Sequence, residues 1–427
     1  GDVCVIDART GRCGYRLDHK ESVHNLRLSA DGDVLVRHRF TATGIEVEVH
    51  RRTAKKTLVL RDFPKDGRLR WCLDYGDFSH LSPDGRWLVL STEDGRLHRW
   101  DLISGKEASP LTETLRSTSK LAWSPEGRYV AAQGSALPPN VLNNVIGEKH
   151  LRDVRVWDVR TGIRLPHLTV PNRHGGIHIH FSHDERTMLT TDMQGVIHLW
   201  EVATGKERGR LHGHLPYEIG SLALSADGRM LVSGGYDTQG FVWDVTGRMP
   251  DGQWRTTTLS SEQRRAAWET LASTDAKAAY RASWQLVADP DGTVTFLKEQ
   301  VRPIARPEPA QVARWITGLD SPEFAERERA ERALEAHGET VAAEMRRTLT
   351  QKPSLEVRRR IEALLEKLQG VPQGRQLQAL RVLEVLEHLN TSEARTLLRK
   401  LADGASGARL TAEARLALRR CQTRRSP

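Results

Sequence analysis

The chain predicts an all-β array of repeated units in its first part and an all-α region in its second, on three observations. A turn of the form Ser-x-Asp/Glu-Gly recurs five times, beginning at Ser29, Ser82, Ser124, Ser182 and Ser225, with Glu185 in the glycine slot of the fourth. About 16 to 18 residues after most of these turns, a strand closes on tryptophan followed by an acid: Trp100-Asp101, Trp157-Asp158, Trp200-Glu201 and Trp243-Asp244. Beyond Gly247 the two-residue alternation stops and helical spacing takes over. The boundaries that follow are a β array over 1–248, a connector over 249–259 and a helical region over 260–427.

Each serine turn follows a short alternating apolar segment, such as Leu121 and Trp123 before Ser124 or Leu222 and Leu224 before Ser225. That order reads as strand then turn. A second turn, Ser104-Gly105, Thr161-Gly162, Thr204-Gly205 or Thr246-Gly247, follows each tryptophan and leads to the next strand. Trp157, Trp200 and Trp243 are 43 residues apart, whereas Trp100 and Trp157 are 57 apart. The excess lies near 133–152, where Pro138, Pro139 and Asn140 mark a loop.

A repeat of this length with these motifs resembles the WD-repeat family of β-propellers over roughly residues 1–250. The resemblance implies blades of four antiparallel strands, here an incomplete ring of about five to six. The last repeat fits best, with Gly213-His214 at its opening and Trp243-Asp244 closing its third strand. In the family, His, Ser/Thr, Asp and Trp tie the strands of a blade by hydrogen bonds. That tetrad would be His214, Ser233, Asp237 and Trp243. The blade around Trp100 lacks the Gly-His opening, and Val47-Glu48-Val49 stands where another blade needs tryptophan. These blades are expected to rely on packing alone. Residues 1–11 align with 95–105 and 195–205, so the chain is expected to open inside a blade of a longer, N-terminally truncated protein.

In the second part, Ser260 with Gln263 forms a capping-box pattern, while Pro309, Pro322 and Pro353 mark helix starts and Gly338 and Gly370 helix stops. Val357, Ile361, Leu364, Leu365 and Leu368 make an apolar stripe, and Ala394, Leu397, Leu398 and Leu401 repeat it. Related helix starts near Phe324, Val357 and Ala394 are similar to HEAT-type helical repeats over about 309–420. A plain helical bundle is the competing reading.

The net charge of +9 sits mostly in this second part: residues 1–252 carry 34 basic and 32 acidic side chains, residues 253–427 carry 30 and 23. Such a surplus raises nucleic acid as a partner. Candidate contacts are Arg346, Arg347, Arg358, Arg359 and Arg360, although Glu356 and Glu362 lie within helical reach of Arg360 and Arg358. Cys4, Cys13, Cys72 and Cys421 form no Cys-x-x-Cys pair and are expected to be free thiols in a reducing, cytoplasmic compartment. No run of apolar residues is long enough to cross a bilayer.

No phosphate-binding loop, zinc-protease helix, nucleophile elbow or kinase catalytic loop is present, so no cofactor is expected. Asp289, Asp291 and Gly292 open like a calcium loop, but Pro290 at a helix start explains them. A histidine cluster, His174, His178, His180 and His183, with His198 beyond it, offers a metal site. Alternation places His178 and His180 on one face, about 7 Å apart. Against this, His180 occupies the slot filled by Ala122 and Ala223, and His198 matches His98. The expected function is a non-catalytic protein-interaction scaffold. The architecture resembles bacterial WD-repeat proteins that append a propeller and helical tail to a regulatory or signalling domain. A metal-dependent enzyme using His178 and His180 and a nucleic-acid binder using the basic helices are the alternatives.

Overall fold

A serine turn is a small self-contained device, and its repetition explains the spacing of the β units. In a computed structural model that describes residues 3–423 apart from 7–9, 18–23, 42–43, 55, 61–78, 92–95, 112–115, 136–151, 173–177, 217, 250 and 369, all five turns are built alike. The serine Oγ accepts the backbone N–H five residues on, at 2.8–2.9 Å from Val34, Trp87, Tyr129, Thr187 and Met230. In four of them the same hydroxyl donates to the Asp two residues on, at 2.5–2.6 Å. This local bonding sets a tight reversal between two strands.

The turns and the strands between them give six antiparallel sheets among the described residues. The first pairs β1 (Val3–Ile6) with β2 (Cys13–Leu17). Four sheets have four strands in chain order: β3 (His24–Leu28) to β6 (Lys56–Leu60), β7 (Ser79–Leu81) to β10 (Lys106–Ala108), β11 (Arg116–Trp123) to β14 (Ile163–Asn172), and β15 (Ile179–Phe181) to β18 (Glu207–His212). The inner members are β4 (Val34–Thr41) and β5 (Gly44–Arg51), β8 (Trp87–Ser91) and β9 (Leu97–Asp101), β12 (Tyr129–Ser135) and β13 (Arg152–Asp158), and β16 (Thr187–Thr191) and β17 (Val196–Glu201). The last sheet has three strands, β19 (Ile219–Leu224), β20 (Met230–Gly235) and β21 (Gly240–Asp244). The extra length near 133–152 joins β12 to β13, and its residues 136–151 lie outside the described residues.

Alternation lets the β7–β10 and β11–β14 sheets each serve two cores. Leu88, Leu90 and Trp100 pack with Val34, Val36, Val47 and Val49 of the preceding sheet. Trp87, Val89 and Leu97, pointing the other way, pack with Val130, Ala132 and Trp157 of the following one. Ala131, Val154 and Val156 then meet Ile179, Phe181 and Met188. Strands β8 and β16 are accordingly buried along their whole length. The turns pack as closely: a Cβ on Gly85 would lie 2.7 Å from Val34 Cγ2 of the neighbouring sheet, and its φ of +65° is left-handed, so glycine is required twice over.

The far face of the last sheet lacks such a neighbour among the described residues. Val242 is 66% exposed where its counterpart Val156, also preceding a tryptophan, is 0% exposed. Val232 and its cross-strand partner Ala223 are exposed on that face as well.

Two expectations need correction. Cys4 and Cys13 are bonded to each other across the first hairpin, their Cα atoms 6.0 Å apart, because the hairpin brings β1 and the start of β2 together; they are not free thiols. Cys421 is buried and in no disulfide, its Sγ 3.9 Å from Glu387 O, and Cys72 lies outside the described residues. The sheets without a Gly-His opening also do not rest on packing alone. Arg37 Nε donates to Glu48 at 2.5 Å and His50 Nδ1 lies 2.9 Å from Thr57 Oγ1. His98 Nδ1 lies 2.7 Å from Glu107 Oε1.

The chain divides into two compact units, Gly1–Trp243 and Asp244–Pro427. The second contains nine helices among the described residues: α1 (Ser261–Thr270), α2 (Ala276–Val287), α3 (Pro290–Gln300), α4 (Pro309–Gly318), α5 (Phe324–Thr350), α6 (Leu355–Leu368), α7 (Gly374–Leu389), α8 (Ser392–Ala402) and α9 (Arg409–Thr423). Ser260 caps α1 through a reciprocal box with Gln263. Gly338 does not end α5 but kinks it, at φ 22° and ψ −94°, so that helix continues on both sides. Two cores result. Val312, Leu334, Val341, Met345 and Ile361 belong to α4–α6, while Trp284, Leu383, Leu386, Leu398 and Ala414 join α2 and α7–α9. A buried pair, Arg420 Nε to Glu387 Oε1 at 2.8 Å, ties α9 to α7.

Val156→Ala should cost about 2 kcal/mol of stability in chemical unfolding. Val242→Ala should cost less than about 0.5 kcal/mol.

Candidate functional site

In the last sheet, sequence and geometry converge on one hydrogen-bonded cluster. Ser233, on β20, accepts from Trp243 Nε1 on β21 at 2.8 Å and lies 2.8 Å from His214 Nε2. His214 Nδ1 lies 3.0 Å from Asp237 Oδ2, and Asp237 also accepts the N–H groups of Gln239 and Leu215. Burial pushes the Asp237 carboxyl up, but the bonds from Gln239, His214 and Leu215 outweigh it and hold the group below its ordinary value. A tryptophan N–H, a hydroxyl, an imidazole and a carboxylate thus satisfy one another in sequence, as buried polar groups require. Four chain segments, β20, β21, the turn between them and the entry to β19, are fixed by one chain of bonds.

A sequence model of the family described as WD domain, G-beta repeat, matches residues 205–244. Those residues are a WD40 repeat. The repeat is offset from the sheets: it runs from β18, the outer strand of one sheet, through all three strands of the next. This offset links adjacent sheets covalently. The preceding sheet keeps part of the arrangement, with Trp200 Nε1 donating to Thr190 Oγ1 at 2.9 Å, the same ten-residue spacing as Trp243 and Ser233.

The WD40 repeat also presents apolar side chains. Leu215 is 59% and Tyr236 79% exposed, and each adjoins a member of the cluster, His214 or Asp237. Tyr236 is further fixed by its N–H bond to Glu218 O at 2.7 Å. A rigid polar knot therefore carries two exposed apolar groups, Leu215 in the β18–β19 loop and Tyr236 in the β20–β21 turn.

His178 and His180 do share a face, their rings 6.3 Å apart. Among the described residues no third His, Cys, Asp or Glu joins them at ligand distance. His178 Nε2 lies 3.2 Å from Ile219 O, which occupies one of its nitrogens. Burial lowers the pKa of both, so both favour the neutral form. His180 pairs with Leu189 in the register position where Ala122 pairs with Ala131 and Ala223 with Val232. His174 lies outside the described residues. His98 and His198 are bonded alike, each 2.7 Å from a glutamate on the next strand, Glu107 or Glu207. These glutamates escaped the sequence reading; the repeated nine-residue His-to-Glu spacing was the signal.

The arginine candidates separate. Arg360 is held by Glu356 at 2.7 Å and by Glu331 and Glu328 of α5. Arg346, Arg347, Arg358 and Arg359 are exposed and make no ion pair among the described residues.

Glu185 is another residue whose role the sequence hid. It adopts φ 59° in the glycine slot, and its carboxylate reaches the neighbouring sheet's turn, accepting from Glu126 N–H at 2.9 Å and from Ser124. Burial raises its pKa above the usual 4.5, these bonds opposing. A raised folded-state pKa adds stability below 4.5 that is lost as the pH climbs through the folded value.

Glu185→Gln keeps an acceptor oxygen without the charge. It should stabilise the protein near neutral pH by about 1 kcal/mol, and the gain should vanish in acid, read from urea midpoints across pH. Ser233→Ala should cost about 2–3 kcal/mol by stranding the Trp243 and His214 nitrogens, whereas Ser233→Thr, the residue type at Thr190, should cost less than half as much.

Proposed function

We propose that this chain is a non-catalytic protein-interaction scaffold whose WD40 repeat engages a protein partner through the β18–β19 loop and the β20–β21 turn. The observation that carries this reading is the exposure of Leu215 and Tyr236 on either side of the His214–Asp237 bond. Large apolar groups on two connections tied together through Asp237 supply contact area at little cost in ordering, which is how interface anchors work. The repeated sheets contribute a stiff frame, and the helical unit, read as HEAT-like, contributes stacked helix pairs such as α5 with α6 and α8 with α9. Among the described residues, no helix is long and apolar enough to cross a membrane.

Partners captured by the wild-type chain and by the Leu215→Ala, Tyr236→Ala double variant should be compared by quantitative mass spectrometry. The double variant should melt within about 2 °C of wild type and lose at least about 90% of a specific partner, the consequence of deleting two anchors worth about 2 kcal/mol together. An identical partner profile would remove these two connections as the contact. Metal-dependent turnover abolished by replacing His178 and His180 would favour an enzyme instead.

A further inference from the structure

The helical unit contains a cleft of about 770 Å³ between the α4–α6 core and the α1, α7 and α9 helices. Its size is that of a site for a small organic ligand. The apolar part of its wall is formed by Trp268, Val301, Leu368, Leu380 and Leu410. Trp268 is held in place by an edge contact to Phe296 and by Gln378 Nε2, which donates to its carbonyl at 2.8 Å.

The polar part is lopsided. Arg302, Arg375 and Arg409 line the cleft, and none of their guanidinium groups makes an ion pair or hydrogen bond among the described residues. The two carboxylates that line it are already engaged: Glu335 accepts from Lys367 Nζ at 2.9 Å, and Glu339 accepts from the backbone N–H of Arg409 at 2.6 Å. Arg375 and Arg409 stand in the first turns of α7 and α9, neither of which has an acidic residue there. The N-terminal partial charges of these helices add to the arginines' field. Arg302 is placed by the segment after α3, which is pinned where Ala405 N–H donates to Ile304 O at 2.8 Å. The kink at Gly338 forms part of the wall and turns α5 so that Glu339 reaches the start of α9.

We propose that this cleft binds an amphipathic organic anion, its apolar body against Trp268, Leu380 and Leu410 and its carboxylate or phosphate head at Arg302, Arg375 and Arg409. Guanidinium forks suit either head group, and an apolar wall alone would not select for charge. This site is independent of the β20–β21 contact and stands or falls separately.

The full chain is titrated with 8-anilinonaphthalene-1-sulfonate as probe, with dodecanoate, dodecyl phosphate and dodecyltrimethylammonium as competitors below their micelle concentrations. The probe should bind saturably at one site, and both anions should displace it while the cation should not; whichever anion competes better identifies the head group. Arg302→Glu with Arg375→Glu should weaken probe binding at least about tenfold, one lost charge-assisted contact being worth that much. Ala336→Trp, which fills the cleft from an exposed wall position and leaves every charge in place, should block binding too. Equal displacement by the cation, no saturable binding, or unchanged affinity in the Ala336→Trp variant would overturn the proposal.

Discussion

The first unit depends on burying the middle strands on both faces. A strand with one wet face tolerates polar residues at every second position, but β8 and β16 have no wet face. For β8 the neighbours on both sides are sheets, whose inner faces interdigitate with it. Once Leu88 and Leu90 belong to one core and Trp87 and Val89 to another, removing one sheet exposes the next. The local turns and the polar pairs position sheets that this double burial has already made mutually dependent. The open face of the last sheet, marked by Val232 and Val242, is where the same logic has no partner among the described residues.

Periodicity made the fold legible, and particular contacts did not. The serine turns, the tryptophan strands and the change to helical spacing are local patterns, each repeated, and repetition separates signal from chance. The Cys4–Cys13 bond is a pairing between strands, and cysteine spacing alone carries no strand register. Gly338 shows a similar limit. Glycine signals a helix stop because isolated helices end there, but Leu334 before the kink and Val341 after it lie in one core, which holds helix on both sides.

The candidate site was half legible for the same reason. His214, Ser233, Asp237 and Trp243 lie in the one repeat that keeps all four residue types, and the structure brings them together. Leu215 and Tyr236 carry no such pattern, since single apolar residues in loops do not signal whether they are buried or exposed. The sequence places Glu185 in a glycine slot but hides the role of its carboxylate. The turn at Ser124 has Glu126 where its sisters have Asp, and the longer side chain leaves the serine hydroxyl without its usual local acceptor. Glu185 of the next sheet supplies that acceptor at the expense of a left-handed backbone and a buried acid. Two departures from the repeat, in different units, thus explain each other.

The two units accommodate charge differently, and the difference bears on where binding can occur. In the sheets, imidazole and guanidinium groups are matched by carboxylates, as His98 with Glu107, His198 with Glu207 and Asp192, and Arg208 with Glu201. Matched pairs fix register but leave little field beyond themselves. In the helical unit the pairs at Arg360 and Arg420 are similarly closed, yet Arg302, Arg375 and Arg409 are left facing a cleft whose carboxylates are already engaged. Packing gives no reason to gather three unmatched guanidinium groups around apolar walls, since each repels the others and none stabilises a neighbour. An anion supplied from outside relieves that repulsion, so the arrangement is easier to explain as a site than as a by-product of folding.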